Sequence, residues 1–296
     1  MLTAPILYNI IPFIMAATCA FALSPLCLPL ARRLGAVDVP SDSRRMHRRP
    51  TPRLGGLGVF FAFAITSPFF GGEELLPLLS GGGVIVSSGI LDDVYGLTPR
   101  QKLGFQTAAG GAAVAFGARV PFGEGLFSVL AALFWLILLP NAFNLIDGLD
   151  GLCTRTAMCA SAALLAVSGE ASAAALLGAL AGFLPFNLRP ARMFLGDTGA
   201  LFIGFALGVL SLDTAGRMSA PEWILFSSLV FALPLGDTVF SFFRRLIRGG
   251  DPFRPDKGHF HHRLVDAGFS HGRASLLLSL SSLALCSVGV MLFSVQ

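Results

Sequence analysis

An all-α, polytopic membrane protein with about ten transmembrane helices is the architecture this sequence predicts, and three observations predict it. Hydrophobic residues make up 54% of the 296 positions and charged residues only 13%, where a soluble domain carries roughly 25% charged residues. The mean hydropathy is +0.74, and the apolar residues gather into long runs that lack the alternation of strands. Lys and Arg, finally, crowd into every second loop. The chain reads as one integral-membrane domain over residues 1–296.

Taken in order, the apolar spans fall near 6–31, 54–70, 75–91, 100–118, 126–143, 153–168, 171–187, 199–212, 222–244 and 274–295. No Lys or Arg precedes Arg32, so the first span lacks the basic start of a secretory signal and is expected to remain in the mature protein. The third span is weak on sequence, because Gly81, Gly82 and Gly83 interrupt it. The fourth opens with Thr98, Pro99 and Gln101, which fit a helix cap, a first helical position and a capping box. Lys102 then lies in the first turn, beside backbone N–H groups that attract anions. Pro140 can bend the fifth span. The sixth and seventh are rich in Ala and Gly, which suits close helix packing. The ninth contains Asp237, where Pro234 and Gly236 allow a break. Arg244 lies two turns on and is a candidate partner.

Orientation follows from charge. Of the 21 basic residues, 19 lie after odd-numbered spans, and only Arg119 and Arg217 fall on the other side. By the positive-inside rule the crowded side is cytoplasmic and both termini are outside. All five Glu lie on the outer side, while 11 of the 12 Asp lie inside, so the chemistry is expected on the cytoplasmic face. The five cysteines sit in or beside apolar spans and form no C-x-x-C pair; they read as small buried hydrophobes.

Five polar clusters share that inner face. Residues 37–56 hold Arg44, Arg45 and His47, a basic loop that can also serve as a rim for phosphate. Residues 91–102 hold Asp92 and Asp93, two acids at the negative end of a helix dipole that need a cation nearby. On a helix, neighbours diverge by about 100°, so the two should do different jobs. Residues 141–152 hold Asn144, Asp147 and Asp150, spaced by three so that a helical turn would align them. Their oxygens are hard donors suited to Mg²⁺. In residues 193–199, Asp197 or Thr198 fits an N-cap, and Asp197 equally fits a metal carboxylate with Phe194 beside it to stack on a base. Residues 255–264 hold Lys257, His259, His261, His262 and Arg263. Their spacing is poor for a tetrahedral zinc site and better suited to embracing pyrophosphate. Together these donors argue for Mg²⁺-assisted phosphoryl chemistry. No P-loop or Rossmann fingerprint is present, and basic charge confined to short loops argues against nucleic acid.

The motifs DVPSDSRRMHRRPTPRLGG, GILDDVYGLTPRQK, NAFNLIDGLDGL, RMFLGDTGALFIG and PFRPDKGHFHHRLVDAGFSH occur in that order. With them the chain resembles the polyprenyl-phosphate N-acetylhexosamine-1-phosphate transferases, and within these the WecA/TagO type. The resemblance implies a ten-helix bundle with a cytoplasmic active-site cleft in the inner or plasma membrane. It implies transfer of GlcNAc-1-phosphate from UDP-GlcNAc to undecaprenyl phosphate, releasing UMP, as the first membrane step of a cell-envelope glycopolymer. Other UDP-HexNAc donors, or UDP-MurNAc-pentapeptide, stay open, as does a homodimer. Carried over by likeness, Asn144 and Asp197 hold Mg²⁺, with Mn²⁺ as a substitute, and Lys102 contacts phosphate. Asp92 and Asp93 serve the lipid phosphate, and Asp147, Asp150 and Phe194 line a uridine pocket. His259, His261, His262 and Arg263 surround the pyrophosphate and sugar, with Arg44 and His47 at the rim. A lipid or solute transporter is the non-enzyme alternative. It would place ionisable groups near mid-membrane between repeated halves, whereas here they crowd one face.

Overall fold

The computed structural model describes residues 3–40, 50–120, 122–249 and 258–293. Among these, twelve α-helices carry almost all of the regular structure: α1 (Thr3–Leu34), α2 (Gly55–Thr66), α3 (Leu75–Tyr95), α4 (Pro99–Ala115), α5 (Gly125–Ile146), α6 (Leu152–Ser168), α7 (Ala171–Asn187), α8 (Gly196–Asp213), α9 (Ala220–Val230), α10 (Ala232–Ile247), α11 (Phe260–Asp266) and α12 (His271–Phe293). Each apolar span of the sequence falls on one of them, except the ninth, which falls on two.

Five of these helices are long and apolar enough to cross a membrane, or six if the bent pair α9–α10 counts as one span. The rest fall short for a geometric reason. At 1.5 Å per residue, the 17 residues of α6 or α7 reach about 25 Å, less than the roughly 30 Å of a hydrocarbon core. The fold is therefore that of a helical, polytopic membrane protein.

Helix α8 is the axis of the bundle. Fifteen of its residues are buried, from Thr198 to Leu212 without a break, and it packs on α3 and α5 and also touches α2 and α6. Small residues allow that packing. A Cβ at Gly89 of α3 would meet the backbone of Thr198, and one at Gly56 of α2 would meet Gly199. Across the bundle, Gly178 and Gly182 of α7 lie against the α1 backbone at Phe13 and Ala17, as the small-residue composition of the seventh span suggests.

The third span is a correction. Despite its three adjacent glycines, α3 runs unbroken for 21 residues. Gly81 faces Phe205 and the Ala109 carbonyl, and Gly82 faces Phe202, so two of the three glycines make room for neighbours. The ninth span breaks at Phe231, not at Pro234, and α9 and α10 meet there at 84°. The fourth helix starts as its sequence demands: the Thr98 hydroxyl accepts from Gln101 N, and Gln101 Oε1 accepts from Thr98 N at 2.9 Å. Two further features have no counterpart in the apolar pattern. One is the seven-residue α11. The other is an antiparallel pair, β1 (Val37–Asp38) with β2 (Thr51–Pro52), which ties the loop after α1 to the start of α2.

Candidate active site

A cavity of about 890 Å³ opens at one end of the bundle, where the C-terminal ends of α5 and α7 meet the N-terminal ends of α8 and α12, with α11 beside them. Its walls carry Asp93, Asn144, Asp147, Asp150, Phe194, Asp197, His261 and His262. Eight residues from four separated sequence motifs thus share one enclosure.

The N-terminus of α8 organises this region. Gly196 takes a φ of +69°, and a side chain there would run into Arg53 O and the Asp93 carboxylate. Neither Asp197 nor Thr198 caps the helix, because α8 already begins at Gly196 and has no side-chain cap of its own. Asp93 of α3 fills that role from outside. Its Oδ1 accepts from Asp197 N at 3.1 Å, and its Oδ2 accepts from Thr198 N at 3.0 Å and Thr198 Oγ1 at 2.7 Å. A carboxylate meeting free N–H groups at the positive end of a helix is the favourable arrangement.

Asp92 points elsewhere. Its Oδ1 accepts from Leu97 N at 2.6 Å, and its Oδ2 pairs with Lys102 Nζ at 2.7 Å. The same ammonium reaches Asp197 Oδ2 at 2.6 Å, and Asn144 Nδ2 donates to that oxygen at 3.3 Å. Lys102 therefore holds two carboxylates from different helices, α3 and α8, and Asp197 carries the chain of contacts Asp92–Lys102–Asp197–Asn144 into the cavity.

Asp147 is the C-cap of α5, and Gly151 with φ +70° opens α6, so Asn144, Asp147 and Asp150 do not lie along one helix. A helix end and a tight turn bring them to the same wall. Asp150 Oδ2 accepts from Ala191 N at 3.1 Å. The backbone N–H of Asp147 donates to Asn144 O at 3.3 Å, but among the described residues the Asp147 carboxylate has no hydrogen-bond or ion-pair partner. Burial, then the charges of Asp197, Asp93 and Asp150, push its carboxyl well above the usual range. A half-buried carboxylate among four others, with one lysine between two of them, is a donor set that favours a divalent cation. Asp197, Asp147 and, after a half-turn of its amide that presents Oδ1 in place of Nδ2, Asn144 could supply oxygen donors of the kind Mg²⁺ takes.

The histidines divide. His261 and His262 line the cavity, their rings 4.3 Å apart. Burial, then His262, lowers His261 to about 3, so it is neutral near pH 7. His259 is only 6% exposed and does not reach the cavity wall; it is held by Asp237 of α10, with Oδ2 and Nδ1 2.6 Å apart. Asp237 also accepts from Phe260 N at 2.7 Å, so the partner of this buried acid is not Arg244. Arg263 is exposed, outside the cavity, with its guanidinium 5.0 Å from the centre of the Phe240 ring. Arg44 and His47 lie outside the described residues.

Several wall residues had no assigned role in the sequence. Arg53, paired with Asp38 at 2.9 Å, and Arg189 and His271 all line the cavity. Arg53 and Arg189 were visible only as members of the crowded basic loops. Asn187 was marked by nothing except its place at the end of an apolar run. It accepts from Thr154 Oγ1 at 2.8 Å and donates to Met193 O at 3.1 Å, holding the turn that carries Phe194.

A second acidic group exists at the other end of the bundle. Ligand oxygens of Glu74, Glu170 and Asp213 lie within 4.8 Å of one another. Glu74 precedes α3 and Asp213 ends α8, so this group is a helix length away from Asp93 and Asp197. It already has partners in Ser172 and Arg217.

Residues 75–215 match the profile of glycosyl transferase family 4. The chain is 30% identical over 291 residues to a probable undecaprenyl-phosphate N-acetylglucosaminyl 1-phosphate transferase of Bacillus subtilis, covering 92% of this chain and 81% of the relative. It is 33% identical over 300 residues to a decaprenyl-phosphate N-acetylglucosaminephosphotransferase of Mycolicibacterium smegmatis, covering 85% and 74%. To the undecaprenyl-phosphate alpha-N-acetylglucosaminyl 1-phosphate transferase of Escherichia coli it is 31% identical over 295 residues, covering 88% and 78%.

Proposed function

The chain belongs to glycosyl transferase family 4, among the polyprenyl-phosphate N-acetylglucosamine-1-phosphate transferases, and from that membership we propose that it transfers GlcNAc-1-phosphate from UDP-GlcNAc to undecaprenyl phosphate. The single observation that carries the assignment to this cavity is the contact chain Asp92–Lys102–Asp197–Asn144, which ends among the other cavity carboxylates. It sets a phosphate-binding cation next to hard oxygen donors.

In the reaction, an oxygen of the lipid phosphate forms a bond to the β-phosphorus of UDP-GlcNAc, the β-phosphorus–bridging oxygen bond breaks, and UMP leaves with that oxygen. A phosphate monoester has a second pKa of about 6, so at neutral pH the attacking oxygen is already ionised. The task of the side chains is then to position and to balance charge. Asp197 and Asn144, with Asp147 alongside, would hold Mg²⁺, which supplies charge neutralisation at the pyrophosphate. Lys102 contacts phosphate once substrate competes for its two carboxylate partners, and Asp92 keeps it at the acceptor side. Asp93 fixes the backbone on which Asp197 rides. Asp150 and Phe194 receive the uridine, and the neutral His261 with His262 faces the pyrophosphate and sugar. The ten spans then form a bundle whose cavity end is cytoplasmic and whose termini are outside, in the inner or plasma membrane, because 19 of the 21 basic residues follow odd-numbered spans of the sequence.

The test is release of UMP by purified protein given UDP-GlcNAc, undecaprenyl phosphate and Mg²⁺. Asp197→Ala and Asn144→Ala are expected to lower turnover by at least about 10²-fold and to raise the Mg²⁺ concentration needed for half-maximal rate. Absence of UMP with any UDP-HexNAc refutes the reaction. Wild-type Mg²⁺ dependence in both variants refutes the ligand assignment.

A further inference from the structure

A buried carboxylate is costly unless it is paired and hydrogen-bonded, and Asp237 of α10 is 1% exposed. Its two oxygens serve two partners in the loop that leads to α11. Oδ2 lies 2.6 Å from His259 Nδ1, and Oδ1 accepts from Phe260 N at 2.7 Å. Ser241 Oγ, one turn along α10, is 3.2 Å from the same imidazole nitrogen. His259 in turn stacks on His261, the rings 5.8 Å apart and inclined by only 5°. His261 closes on the turn after α5, where a Cβ on Gly148 would strike its Nε2. The contacts thus run from Asp237 through His259 to a residue of the cavity wall.

We propose that Asp237 is a positioning residue for the transfer site: it fixes His259 with the proton on Nδ1 and seats the first turn of α11, and so aims His261 into the cavity. The physical need is clear. A helix of seven residues has too few internal hydrogen bonds to hold itself in place, and a carboxylate on Nδ1–H is the usual way to fix an imidazole's tautomer and ring plane. The inference rests on the transferase reading for its kinetic consequences but not for its structural one.

Asp237→Asn keeps the volume and removes the charge. It is expected to lower kcat for UMP release roughly tenfold to a hundredfold, as small misplacements at a reacting centre do, with the KM for lipid phosphate and the melting temperature in detergent little changed. Asp237→Glu should restore part of the loss. At position 259 the amide of asparagine lies near Nδ1 and that of glutamine near Nε2, so His259→Asn should retain more activity than His259→Gln. The reverse order means that His259 acts through Nε2 on the substrate and overturns the proposal, as does an Asp237→Asn variant with wild-type kcat. A readout free of turnover separates this from failure of the reaction itself. In ¹⁵N-histidine spectra of the full chain, which has five histidines, one Nδ1–H signal should be lost or shifted in Asp237→Asn. An unchanged spectrum overturns the proposal whether or not UMP is formed.

Discussion

Adjacent residues on a helix diverge by about 100°, and Asp92 and Asp93 use that divergence to serve two different elements. Asp93 accepts three hydrogen bonds from the start of α8, and Asp92 is paired with Lys102. Their substitutions should therefore fail in different ways. Asp93→Asn replaces one acceptor oxygen with a donor facing the α8 backbone and is expected to cost about 1–3 kcal/mol, seen as a lower melting temperature together with lost activity. Asp92→Asn should melt close to wild type yet lose about a hundredfold in kcat, because it loosens Lys102 while leaving the bonds from Asp93 to the α8 backbone in place. Equal melting temperatures for the two variants would contradict this division. That two acids in an apolar chain need different work was legible in the sequence. Which one caps α8 was not, because the contact joins residues 104 and 105 positions apart. The same limit hid His259, whose place behind His261 depends on Asp237, 22 residues upstream on another helix.

At the scale of elements, the local signals were reliable wherever one segment contained both partners. The capping box of α4 needs only Thr98 to Gln101, and it forms. Glycines misled because their meaning depends on what lies opposite. Within α3, Gly81 and Gly89 are sites of close approach to α8, where a Cβ would meet Phe205 and Thr198, while Gly83 has open space around it. Propensity alone treats all three as weaknesses. This difference can be measured. Gly89→Ala forces apart α3 and α8 at the point where Asp93 reaches the α8 backbone. It should destabilise by about 1–3 kcal/mol, as overpacking does, and reduce UMP release in proportion. Gly83→Ala adds a methyl group where nothing stands and should leave both melting temperature and rate near wild type. Were the two variants to behave alike, the packing explanation for the glycines would fail. The break between α9 and α10 has the same character. Pro234 and Gly236 announce a weak region, but the 84° turn falls at Phe231, whose ring packs on Trp135 and Phe143.

For the molecule as a whole, charge and geometry can be set against each other. The count of Lys and Arg alternates from loop to loop, and among the described residues the helix ends that flank several of the crowded loops meet at the end that carries the cavity. The end of α3, the start of α4, the end of α5 and the start of α8 all meet there through Asp92, Lys102, Asn144 and Asp197. The acidic group at Glu74, Glu170 and Asp213 belongs to the opposite end, where Arg217 pairs with Glu170. If the rule that basic loops stay inside governs this chain, the cavity opens to the cytoplasm, where UDP-sugars are made available, and the acidic group faces out. Single cysteines placed in a background with all five native cysteines replaced decide the matter. Gly96→Cys follows α3 at the cavity end, and Gly123→Cys precedes α5 at the other, so the two report opposite faces. In intact cells a membrane-impermeant maleimide should label Gly123→Cys and spare Gly96→Cys, and permeabilised cells should label both. Labelling of Gly96→Cys in intact cells would put the cavity outside, beyond reach of a cytoplasmic nucleotide sugar, and would remove the donor from the reaction even if every carboxylate contact in the cavity proved right.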